Sequence, residues 1–469
     1  MKAKIMLIGG GGREDAIARK IVENEGTLIS VMPFENPSIK RLCNKFFIAG
    51  ENDAEKIISL AREEKPDVVY VSPDSFLEKP IVDALQYSNI KVASPDTKAF
   101  QIESSKIFMR QLLKRFGIQG NLKYEIFYDE YDAGKFLDSQ SNKDFAIKPA
   151  GLTGGKGVKL TDVHFRNRDE AKKYAASIIS RDKKVIFEEK VTGEEFSLQA
   201  FTDGMNVSFF PLAQDYKRLM DDETGPNTGG MGSITGKEML LPFIRRDNVE
   251  KAKDIVKKVI ESLYSEGTMF KGVIYGQFMQ TTSGVKVIEF NGRMADPEGI
   301  NCMALYDGDL VETLLSLGNG NLKTSSIHFQ NKASVLKYIV AEGYPDNPAQ
   351  IKSIQMNDID VEFAPAGSRV GLALKNVDVD QLERGSMLEE EKRDATDSIE
   401  GEIIFHRAVP EPLRSDGEVF LAGHLRYQRG FMAGGNIKMD KPILPEGEYL
   451  LVRPNSKPRI IGKIRNASF

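Results

Sequence analysis

The sequence has few of the side chains that most often carry zinc or thiol chemistry. It contains two cysteines, four histidines and no tryptophan among 469 residues. Cys43 and Cys302 lie far apart in the chain, and no two histidines have the spacing of a zinc-binding helix. This scarcity argues against zinc hydrolysis, cysteine–histidine catalysis and a disulfide framework, so we expect a reducing, cytoplasmic compartment.

Long apolar runs and an excess of one charge are also missing. The first residues, MKAKIMLIGGGG, lack the apolar length and cleavage site of a signal peptide, and no segment is long enough to cross a bilayer. Lys and Arg number 64 against 68 Asp and Glu, a formal net charge of −4. We therefore expect neither a membrane nor a nucleic acid as a partner. The expected chemistry rests on Lys, Arg, carboxylates and glycine-rich backbone.

The order of strands and helices predicts an α/β protein of about three domains. Over the first hundred residues short apolar strands alternate with helices, which is typical of a parallel sheet with right-handed crossovers. The predicted strands are Ile5–Ile8, Leu28–Met32 and Val68–Val71, and the predicted helices are Ala16–Glu23, Ala54–Glu64 and Pro80–Gln86. Ser94, Pro95 and Asp96 then mark a boundary before a long helical stretch from Lys98 to Phe116.

The predicted elements after this boundary are more mixed. Strands are predicted at Phe145–Lys148, Val158–Leu160, Val185–Glu188, Gly272–Met279 and Lys286–Phe290, with helices at Asp169–Ile179 and Val249–Glu261. The polar, glycine-rich segment 215–233 is predicted as a loop, and the pattern from about residue 330 is β-rich. We predict an N-terminal βαβ substrate-binding domain (1–102), an α+β domain (103–325) with a lid at about 120–192, and a β-rich C-terminal domain (326–469).

Four glycines, Gly9 to Gly12, lie between the first strand and the first helix and are followed by Arg13 and Glu14. Glycines permit a tight turn, and the free N–H groups of a helix start attract an anion. One interpretation is a dinucleotide site in which Glu35 holds a ribose, although Glu14 stands where that fingerprint needs Gly or Ala. Arg13 favours a phosphate instead, and a plain tight turn is the third interpretation.

A second glycine-rich segment, KPAGLTGGKG, runs from Lys148 to Gly157. It is not a P-loop, because the spacing differs, Gly157 replaces the magnesium-binding Ser or Thr, and a strand follows instead of a helix. A glycine-rich turn between two strands can act as a flap whose N–H groups close over phosphates. Lys148, at the end of the first strand, could reach the same phosphates. The alternative is a flexible hairpin with a solvated lysine.

A third segment, GPNTGGMG, occupies residues 225–232 and follows Asp215, Lys217 and Arg218. Such a density of glycine beside Asn and Thr suits a loop that brings its backbone close to a small polar ligand. The alternative is a long surface loop, but loops this rich in glycine inside a compact domain are usually functional.

The fourth segment, EFNGRMADPE, begins at Glu289. Glu289 and Asn291 are two residues apart on a predicted strand and therefore share a face. An oxygen-only pair of this kind suits Mg²⁺. Arg293, on that face or just past the strand end, could clamp a phosphoryl group. A solvated strand edge would explain one carboxylate, but not a Glu-Asn-Arg row that leads into Asp296 and Glu298.

Together these segments resemble the ATP-grasp superfamily and, within it, the phosphoribosylamine–glycine ligase family of purine biosynthesis. The resemblance extends to about residue 345 and includes the phrases LIGGGGRE, SPDTKAFQIESSK, IKPAGLTGGKGV, VIFEEKVTGEEFS, DYKRLMDDETGPNTGGMG, VIEFNGRMADPE and AEGYPDNP. It implies an N-terminal parallel-sheet (pre-ATP-grasp) domain, an α+β ATP-grasp domain with a mobile lid, and a β-rich C-terminal domain. The implied reaction is ATP-dependent ligation of glycine to 5-phosphoribosylamine through glycyl phosphate, giving glycinamide ribonucleotide.

The resemblance also implies roles for individual residues, in a monomer or small homo-oligomer. The residues implied to contact ATP are Lys106, Lys148, Gly154, Gly155, Lys156, Gly157, Glu188, Glu189, Val191 and Glu195. Glu289 and Asn291 would hold Mg²⁺ or Mn²⁺. The residues implied to contact the other substrates are Gly10, Gly11, Gly12, Arg13, Asp215, Asn227, Thr228, Gly229, Gly230, Asp296 and Glu298. The residues implied in catalysis are Arg293, Lys217 and Asp296.

Three departures from the family pattern leave alternatives open. Asp15 and Tyr216 stand where the family usually has His, and Met294 stands where it usually has Phe. A paralogous ligase that joins another amine or amino acid is therefore the second interpretation. A dinucleotide-dependent oxidoreductase and a non-catalytic nucleotide-binding module are interpretations from other classes. The oxidoreductase interpretation leaves EFNGR and GPNTGGMG unexplained. The retained Glu289–Asn291 pair argues against the non-catalytic module.

Overall fold

The chain forms two compact units. The first consists of residues 1–338 and 353–371, and the second of residues 339–352 and 372–469. The computed structural model describes residues 2–140, 144–152, 157–220 and 224–340, together with the strands given below for the rest of the chain. All of the predicted site residues fall within the range of the first unit.

A four-stranded parallel sheet forms the N-terminal part of the first unit. Its strands are β1 (Lys4–Ile8), β2 (Thr27–Met32), β3 (Lys45–Ile48) and β4 (Val68–Val71). They lie in the order β3-β2-β1-β4. The helices of this part are α1 (Gly12–Glu23), α2 (Pro37–Leu42), α3 (Ala54–Glu64), α4 (Asp74–Leu77) and α5 (Ile81–Tyr87). The predicted N-terminal parallel sheet is confirmed.

Burial on both faces explains why β1 and β4 are continuous apolar runs. Ile5 and Leu7 pack into one hydrophobic cluster, whereas Met6 and Ile8 pack into another. Parallel sheets are normally covered on both sides, so their strands lack the alternation of a half-exposed sheet. The sequence reasoning missed β3 because its side chains are half-buried or exposed, which leaves a weak apolar pattern.

The helical stretch predicted from Lys98 to Phe116 is divided into two helices. These are α6 (Gln101–Ser104) and α7 (Lys106–Arg115). Ser105 between them is extended, with φ −137° and ψ 102°, and its hydroxyl accepts a hydrogen bond from the N–H of Phe108. Serine is a favoured N-cap, so Ser105 starts a new helix. This cap places Lys106 in the first turn of α7.

A small antiparallel sheet with two helices follows. Its strands are β5 (Tyr124–Phe127), β6 (Phe145–Pro149), β7 (Lys159–Leu160) and β8 (Val185–Glu189), and its helices are α8 (Glu130–Ser139) and α9 (Arg168–Asp182). The strand order is β5-β8-β6-β7. Phe187 packs into an aromatic core under the helices, whereas its neighbour Ile186 lies in a separate cluster. The alternation along β8 thus directs Glu188 away from the helices.

A seven-stranded antiparallel sheet is the centre of the first unit. Its strands are β9 (Glu194–Thr202), β10 (Val207–Phe209), β11 (Ala213–Met220), β12 (Thr224–Thr235), β13 (Gly272–Thr281), β14 (Gly284–Asn291) and β15 (Ser334–Lys337). The order is β14-β13-β9-β11-β12-β15, with β10 beside β9. The accompanying helices are α10 (Arg246–Ser265), α11 (Glu298–Met303), α12 (Leu310–Asn319) and two short 3₁₀ helices, Lys237–Met239 and Thr324–Ser326. Apolar residues of α7 and α10 cover one face of this sheet.

The prediction of a loop at 215–233 is wrong. Apart from residues 221–223, which lie outside the described part of the chain, the segment belongs to the antiparallel strands β11 and β12. The pairing shifts register on both sides of Arg218, which is the mark of β-bulges. Gly230 has φ +129°, and a Cβ at this position would come within 2.7 Å of Cδ of Pro297. The glycines therefore permit close packing of an irregular hairpin.

The remaining described strands form two further sheets. The strands of the first are β16 (Gln350–Met356), β17 (Ile359–Val361) and β18 (Gly371–Lys375). The strands of the second are β19 (Thr396–Glu400), β20 (Glu402–Phe405), β21 (Gly417–Gly423), β22 (Arg426–Ala433), β23 (Asn436–Ile443), β24 (Tyr449–Val452) and β25 (Ile460–Arg465). The predicted β-rich C-terminal region is confirmed, whereas the boundaries of the three domains stay a prediction. None of the helices described above combines the length and apolar character needed to cross a membrane.

Candidate active site

One face of the seven-stranded sheet carries the predicted metal ligands. The pairing of β13 with β14 sets Gln277 opposite Glu289 and Tyr275 opposite Asn291. Residues directly opposite on antiparallel strands share a face, so these four side chains point the same way. Phe290, between the two predicted ligands, is buried in the hydrophobic cluster on the other face.

Four cationic side chains surround Glu289. Burial opposes ionisation of this carboxyl, but Lys217, Lys148, Lys106 and Arg293 together hold its pKa below the ordinary value. The four cations come from β11, β6, the start of α7 and the loop after β14. The fold therefore brings an ionised carboxylate and several positive charges to one place, as the predicted phosphate and metal chemistry requires.

The donor atoms on this face fit a hard divalent cation. Glu289 and Asn291 offer a carboxylate and an amide oxygen, which Mg²⁺ and Mn²⁺ accept. Gln277 lies directly opposite Glu289, and its side-chain oxygen accepts a hydrogen bond from the ammonium of Lys217. Sequence reasoning missed Gln277 because only the register of the two strands brings it beside the pair. In the described residues no three His, Cys, Asp or Glu side chains are grouped to hold a metal, so phosphate oxygens would have to complete the set.

A cavity of about 120 Å³ opens beside these residues. Its lining includes Lys106, Glu103, Glu289, Asn291 and Arg293, with Leu152 and Val158 from the two ends of the predicted flap. The ammonium of Lys106 donates to the carbonyl of Gly151 at 2.8 Å, and burial lowers its pKa. Gly154, Gly155 and Lys156 lie outside the described residues. Gly157 is described, and its carbonyl accepts a hydrogen bond from the hydroxyl of Tyr174 at 2.9 Å.

Lys148 lies against a buried carboxylate. Its Nζ is 2.7 Å from Oε2 of Glu188, and both side chains are buried. Arg110 binds the same carboxylate through two N–H groups, at 2.8 and 3.0 Å. Burial would raise the pKa of Glu188, but the two cations lower it to about 2. The Glu188 side chain is thus fully engaged by Arg110 and Lys148.

The neighbouring residues of the predicted adenine hinge are bonded to the start of the small sheet. Glu189 makes two hydrogen bonds with the backbone of Lys123: its N–H donates to the Lys123 carbonyl at 2.9 Å, and its side-chain carboxylate accepts from the Lys123 N–H at 3.0 Å. Val191 follows β8 and is half-buried. Glu188 and Glu189 of the hinge are therefore bonded to the start of β5, where Tyr124 pairs with Glu188.

Arg293 lies just past the end of β14 and is oriented by Glu103, which sequence reasoning missed. The guanidinium is 3.3 Å from Oε1 of Glu103, and Oε2 of the same carboxylate accepts from the N–H of Gly292 at 2.6 Å. Burial raises the pKa of Glu103 despite the neighbouring Arg293. The Nε of Arg293 is buried with no hydrogen-bond partner in the described structure, so one donor of this side chain is available to a ligand.

Lys217 is linked to the predicted ribose contact by Gln277. The ammonium of Lys217 donates to Oε1 of Gln277 at 2.9 Å, and Nε2 of Gln277 donates to Glu195 at 2.7 Å. Although burial opposes the charge, Glu289 and the other nearby carboxylates raise the pKa of Lys217. Lys217 therefore remains a cation, held between the predicted metal pair and the predicted substrate pocket.

Asp215 is a buried carboxyl with an unsatisfied oxygen. Its side chain is 9% exposed, its Oδ2 lies 3.9 Å from Nζ of Lys217, and its Oδ1 has no hydrogen-bond partner in the described structure. Burial and the charge of Glu298 raise the pKa of Asp215 to about 8. Glu298 is also buried and accepts a hydrogen bond from the hydroxyl of Tyr275 at 3.0 Å. The two acids are close enough to influence each other, and a cationic group between them would compensate their buried charge.

The hairpin of β11 and β12 and the loop after β14 carry the remaining predicted substrate contacts. The hydroxyl of Thr228 donates to the carbonyl of Lys217 at 3.0 Å and accepts from the N–H of Gly230 at 3.0 Å. Asn227 and Gly229 are exposed on the same strand. Asp296 is exposed and accepts a hydrogen bond from the hydroxyl of Tyr338.

The glycine-rich loop before α1 is organised by Glu14. Its buried carboxylate accepts from the N–H of Gly11 at 2.7 Å, from Nε of Arg13 at 2.8 Å and from the hydroxyl of Ser72. Glu14 therefore occupies one of the N–H groups that an anion at the helix start would use. Gly10 is buried against Met32, while Gly12 is exposed.

This arrangement defines an ATP-grasp protein: a parallel N-terminal sheet, a small antiparallel sheet carrying Lys148, and a larger sheet carrying Glu289 and Asn291. Residues 3–103 match the N domain of phosphoribosylglycinamide synthetase, and residues 104–299 match its ATP-grasp (A) domain. The chain belongs to the phosphoribosylamine–glycine ligase family, which confirms the resemblance inferred from the sequence.

Similar proteins cover most of the chain. The phosphoribosylamine–glycine ligase of Methanosarcina acetivorans is 38% identical over 420 residues, which is 87% of this chain and 95% of the relative. That of Pyrococcus furiosus is 39% identical over 355 residues, 76% of this chain and 80% of the relative. The crystal structure of phosphoribosylamine–glycine ligase from Thermotoga maritima matches with a TM-score of 0.64 at 25% identity, over 79% of this chain and 91% of that one.

Proposed function

We propose that this chain joins glycine to 5-phosphoribosylamine with ATP, giving glycinamide ribonucleotide in de novo purine biosynthesis. The observation that carries the proposal is the convergence of Lys106, Lys148 and Arg293 on Glu289, beside Asn291. Cations next to an oxygen-ligand pair are the groups that a transferring phosphoryl group needs. Membership of the family supports the choice of glycine and phosphoribosylamine as substrates.

In this proposal the nucleotide lies along the small sheet and the start of α7. Lys106 and Lys148 neutralise the phosphates of ATP, and the glycine-rich flap that ends at Gly157 covers them. Glu195 accepts hydrogen bonds from the ribose. The end of β8 and the two residues after it, from Glu188 to Val191, lie against adenine. The burial of Lys148 supports its part in this arrangement, because a buried ammonium is held in one place.

Glu289 and Asn291, with Gln277 beside them, would hold Mg²⁺ or Mn²⁺. The bound ion supplies charge neutralisation for the phosphate oxygens. Lys217 and Arg293 balance the negative charge of Glu289 and of the phosphate oxygens around the ion. Glu103 keeps Arg293 in place.

The reaction has two covalent steps in this proposal. A carboxylate oxygen of glycine attacks the γ-phosphorus of ATP, the bond to ADP breaks, and glycyl phosphate forms. The amine of phosphoribosylamine then attacks the glycyl carbonyl carbon, inorganic phosphate leaves, and the amine loses a proton. Arg293 and Lys217 stabilise the charge that develops on the phosphoryl oxygens, and exclusion of water by the flap protects the acyl phosphate.

The substrates would be held at the two ends of the pocket. The ammonium group of glycine would lie against Asp215 and Glu298, where its positive charge would favour the ionised form of Asp215 and lower the raised pKa of that carboxyl. Thr228 and Gly230 shape the wall beside them. Residues 10–13 would bind the 5-phosphate of phosphoribosylamine through backbone N–H groups and Arg13. Three exposed residues are proposed to contact the amine substrate: Asn227, Gly229 and Asp296. Asp296 is also proposed to take part in catalysis.

One assay tests the reaction. Protein with Mg²⁺-ATP, glycine and freshly generated phosphoribosylamine should release ADP, and omission of either glycine or the amine should stop the release. No release with the complete mixture, but release with another amine or amino acid, would assign the chain to the paralogous ligase reaction. No ATP turnover with any pair would favour a non-catalytic nucleotide-binding module.

We further propose a cytoplasmic location, small-molecule substrates without nucleic acid, and a monomer or small homo-oligomer. The chemistry of the proposed substrates supports the cytoplasmic location. The near-neutral charge of the chain supports the absence of a nucleic-acid partner. We keep the proposed division into an N-terminal domain (1–102), an ATP-grasp domain (103–325) and a C-terminal domain (326–469). Light scattering of the purified chain would establish the oligomeric state, and limited proteolysis would test the domain boundaries.

A further inference from the structure

Arg110 is a fully buried arginine with no place in the proposed reaction. Its side chain is 0% exposed. Nε and Nη2 donate to the two oxygens of Glu188, at 2.8 and 3.0 Å. Nη1 donates to the carbonyl of Val287 at 2.9 Å, and Nη2 donates to the carbonyl of Ile288 at 2.8 Å. Each of the three guanidinium nitrogens therefore donates at least one hydrogen bond.

These bonds join three elements that carry site residues. Arg110 lies on α7, one turn after Lys106. Glu188 lies on β8, and its carboxylate holds Lys148 of β6 at 2.7 Å. Val287 and Ile288 directly precede Glu289 on β14. One side chain thus connects the phosphate-binding lysines to the strand that presents the metal ligand.

Burial of the charged cluster of Arg110, Lys148 and Glu188 costs free energy of desolvation. Arg110, Lys148 and Glu188 are all buried and carry one net positive charge. Apolar residues of similar volume often stabilise a fold as well as buried ion pairs do, because burial removes the hydration of every charge. A charge cluster at this position is therefore better explained by what it orients than by its contribution to stability.

We propose that Arg110 is a positioning residue for ATP. Through Glu188 it sets the direction of the Lys148 ammonium, and through two carbonyl groups it holds β14 so that Glu289 faces the phosphates. The inference rests on the ATP half of the proposed function. Lysine cannot replace arginine here, because an ammonium lacks the planar fork that reaches a carboxylate and two carbonyls together.

The test is direct binding of ATP with Mg²⁺, without glycine or amine, by equilibrium dialysis on the full chain. Arg110→Lys should raise the dissociation constant for ATP at least tenfold and raise the Mg²⁺ concentration needed for half-saturation. Glu188→Asp should have the same effect, because the shorter carboxylate cannot meet both Arg110 and Lys148. This second variant keeps the charge of the cluster and guards against loss of folding in the first.

Arg115 provides the matched control. It lies on the same helix and also makes a two-pronged ion pair, with Glu266 at 2.8 and 3.1 Å, but on the surface. Arg115→Lys should bind ATP within twofold of the wild type. Thermal unfolding of each variant separates a general loss of stability from a specific loss of ATP binding.

The outcomes are distinct. Arg110→Lys or Glu188→Asp protein that melts earlier but binds ATP as the wild type does would overturn the proposal and leave a purely structural ion pair. Wild-type protein that binds ATP but releases no ADP with glycine and phosphoribosylamine would overturn the proposed reaction and not this inference. Wild-type protein that binds no ATP would overturn both.

Discussion

The guanidinium of Arg13 donates to the carbonyl of Met294 at 2.8 Å, across 281 positions of the chain. Both residues are buried. The bond ties the first turn of α1, directly after the glycine-rich loop, to the loop after β14 that carries Arg293. The proposed phosphate site and the proposed catalytic arginine are therefore parts of one hydrogen-bonded framework.

The first prediction concerns this bond. Arg13→Met should raise the KM for phosphoribosylamine at least tenfold and lower kcat, because the variant loses both a phosphate donor and the support of the Met294 carbonyl. The KM for ATP should change less than twofold. Steady-state kinetics with each substrate varied in turn measures the split. Lys20→Met, which removes a surface ion pair on the same helix, is the control. An unchanged KM for the amine in Arg13→Met would contradict the prediction.

The second prediction concerns the metal ligand. Glu289→Gln keeps the size of the side chain and removes the charge, so the affinity for Mg²⁺ should fall by at least about 10- to 100-fold, the range seen even for partners of metal ligands. ADP release should fall with it. Titration of activity against Mg²⁺ checks this, with Glu250→Gln on the exposed side of α10 as the control. Near-normal turnover at low Mg²⁺ would remove Glu289 from the metal site.

The third prediction concerns Asp215. Its pKa is about 8 in the folded chain, against an ordinary value of 3.8. Between these pH values the unfolded chain has released the proton while the folded chain retains it, so Asp215 makes the fold progressively less stable as the pH rises from about 4 to 8. Asp215→Asn should therefore be more stable than the wild type at pH 8, by about 1–3 kcal/mol, and nearly equal to it at pH 4.

Denaturant unfolding at several pH values measures this difference. The same variant should lose glycine-dependent ADP release, which would mark Asp215 as a residue kept for function at a cost in stability. Asp254→Asn, an exposed partner of Lys258, should show no pH-dependent gain. A stability difference that does not grow with pH would show that Asp215 is ionised normally in the fold.

The fourth prediction concerns Glu188, whose pKa of about 2 lies below its ordinary value of 4.5. A depressed pKa stabilises the fold above pH 4.5, and this contribution is lost as the pH falls from about 4.5 towards 2. Glu188→Gln should lower the free energy of unfolding at pH 7 by about 3–5 kcal/mol, because two buried cations lose their anion. The difference in the free energy of unfolding between Glu188→Gln and the wild type should become smaller at pH 4 and below.

The control for Glu188 is Glu266, which pairs with Arg115 at the surface. Glu266→Gln should cost at most about 1 kcal/mol, the usual contribution of an exposed pair. Urea unfolding of both variants at pH 7 and pH 4 makes the comparison. Equal losses in the two variants would show that the buried cluster contributes no more than a surface ion pair.

Much of the fold follows from local patterns. The apolar runs Ile5–Ile8 and Val68–Val71 were recognisable as strands because strands of a sheet that is buried on both faces are short, continuous apolar runs. The row from Glu289 to Arg293 was recognisable because strand alternation brings residues two apart to the same face. Short-range geometry was therefore enough to propose Glu289 and Asn291 as a metal-binding pair.

Local patterns failed where distant segments decide the outcome. The segment 215–233 has the glycine content of a loop, yet pairing with neighbouring strands makes it a hairpin, because cross-strand hydrogen bonds outweigh weak local preference. Ser105 divides one predicted helix into two, since its hydroxyl caps the second. The cap is visible in the sequence, but the extended backbone that it needs is not.

The amino-acid sequence by itself determined the family, the apolar core strands and the short motifs that are proposed to carry the phosphate and metal chemistry. Only the tertiary structure decided the partners of those motifs: Glu103 for Arg293, Gln277 for Lys217, and Glu188 with Arg110 for Lys148. The physical reason is the separation along the chain of the residues involved. A motif consists of neighbouring residues, so it can be recognised locally. A buried charge needs a partner that any part of the chain can supply, and only the folded structure determines which residue it is.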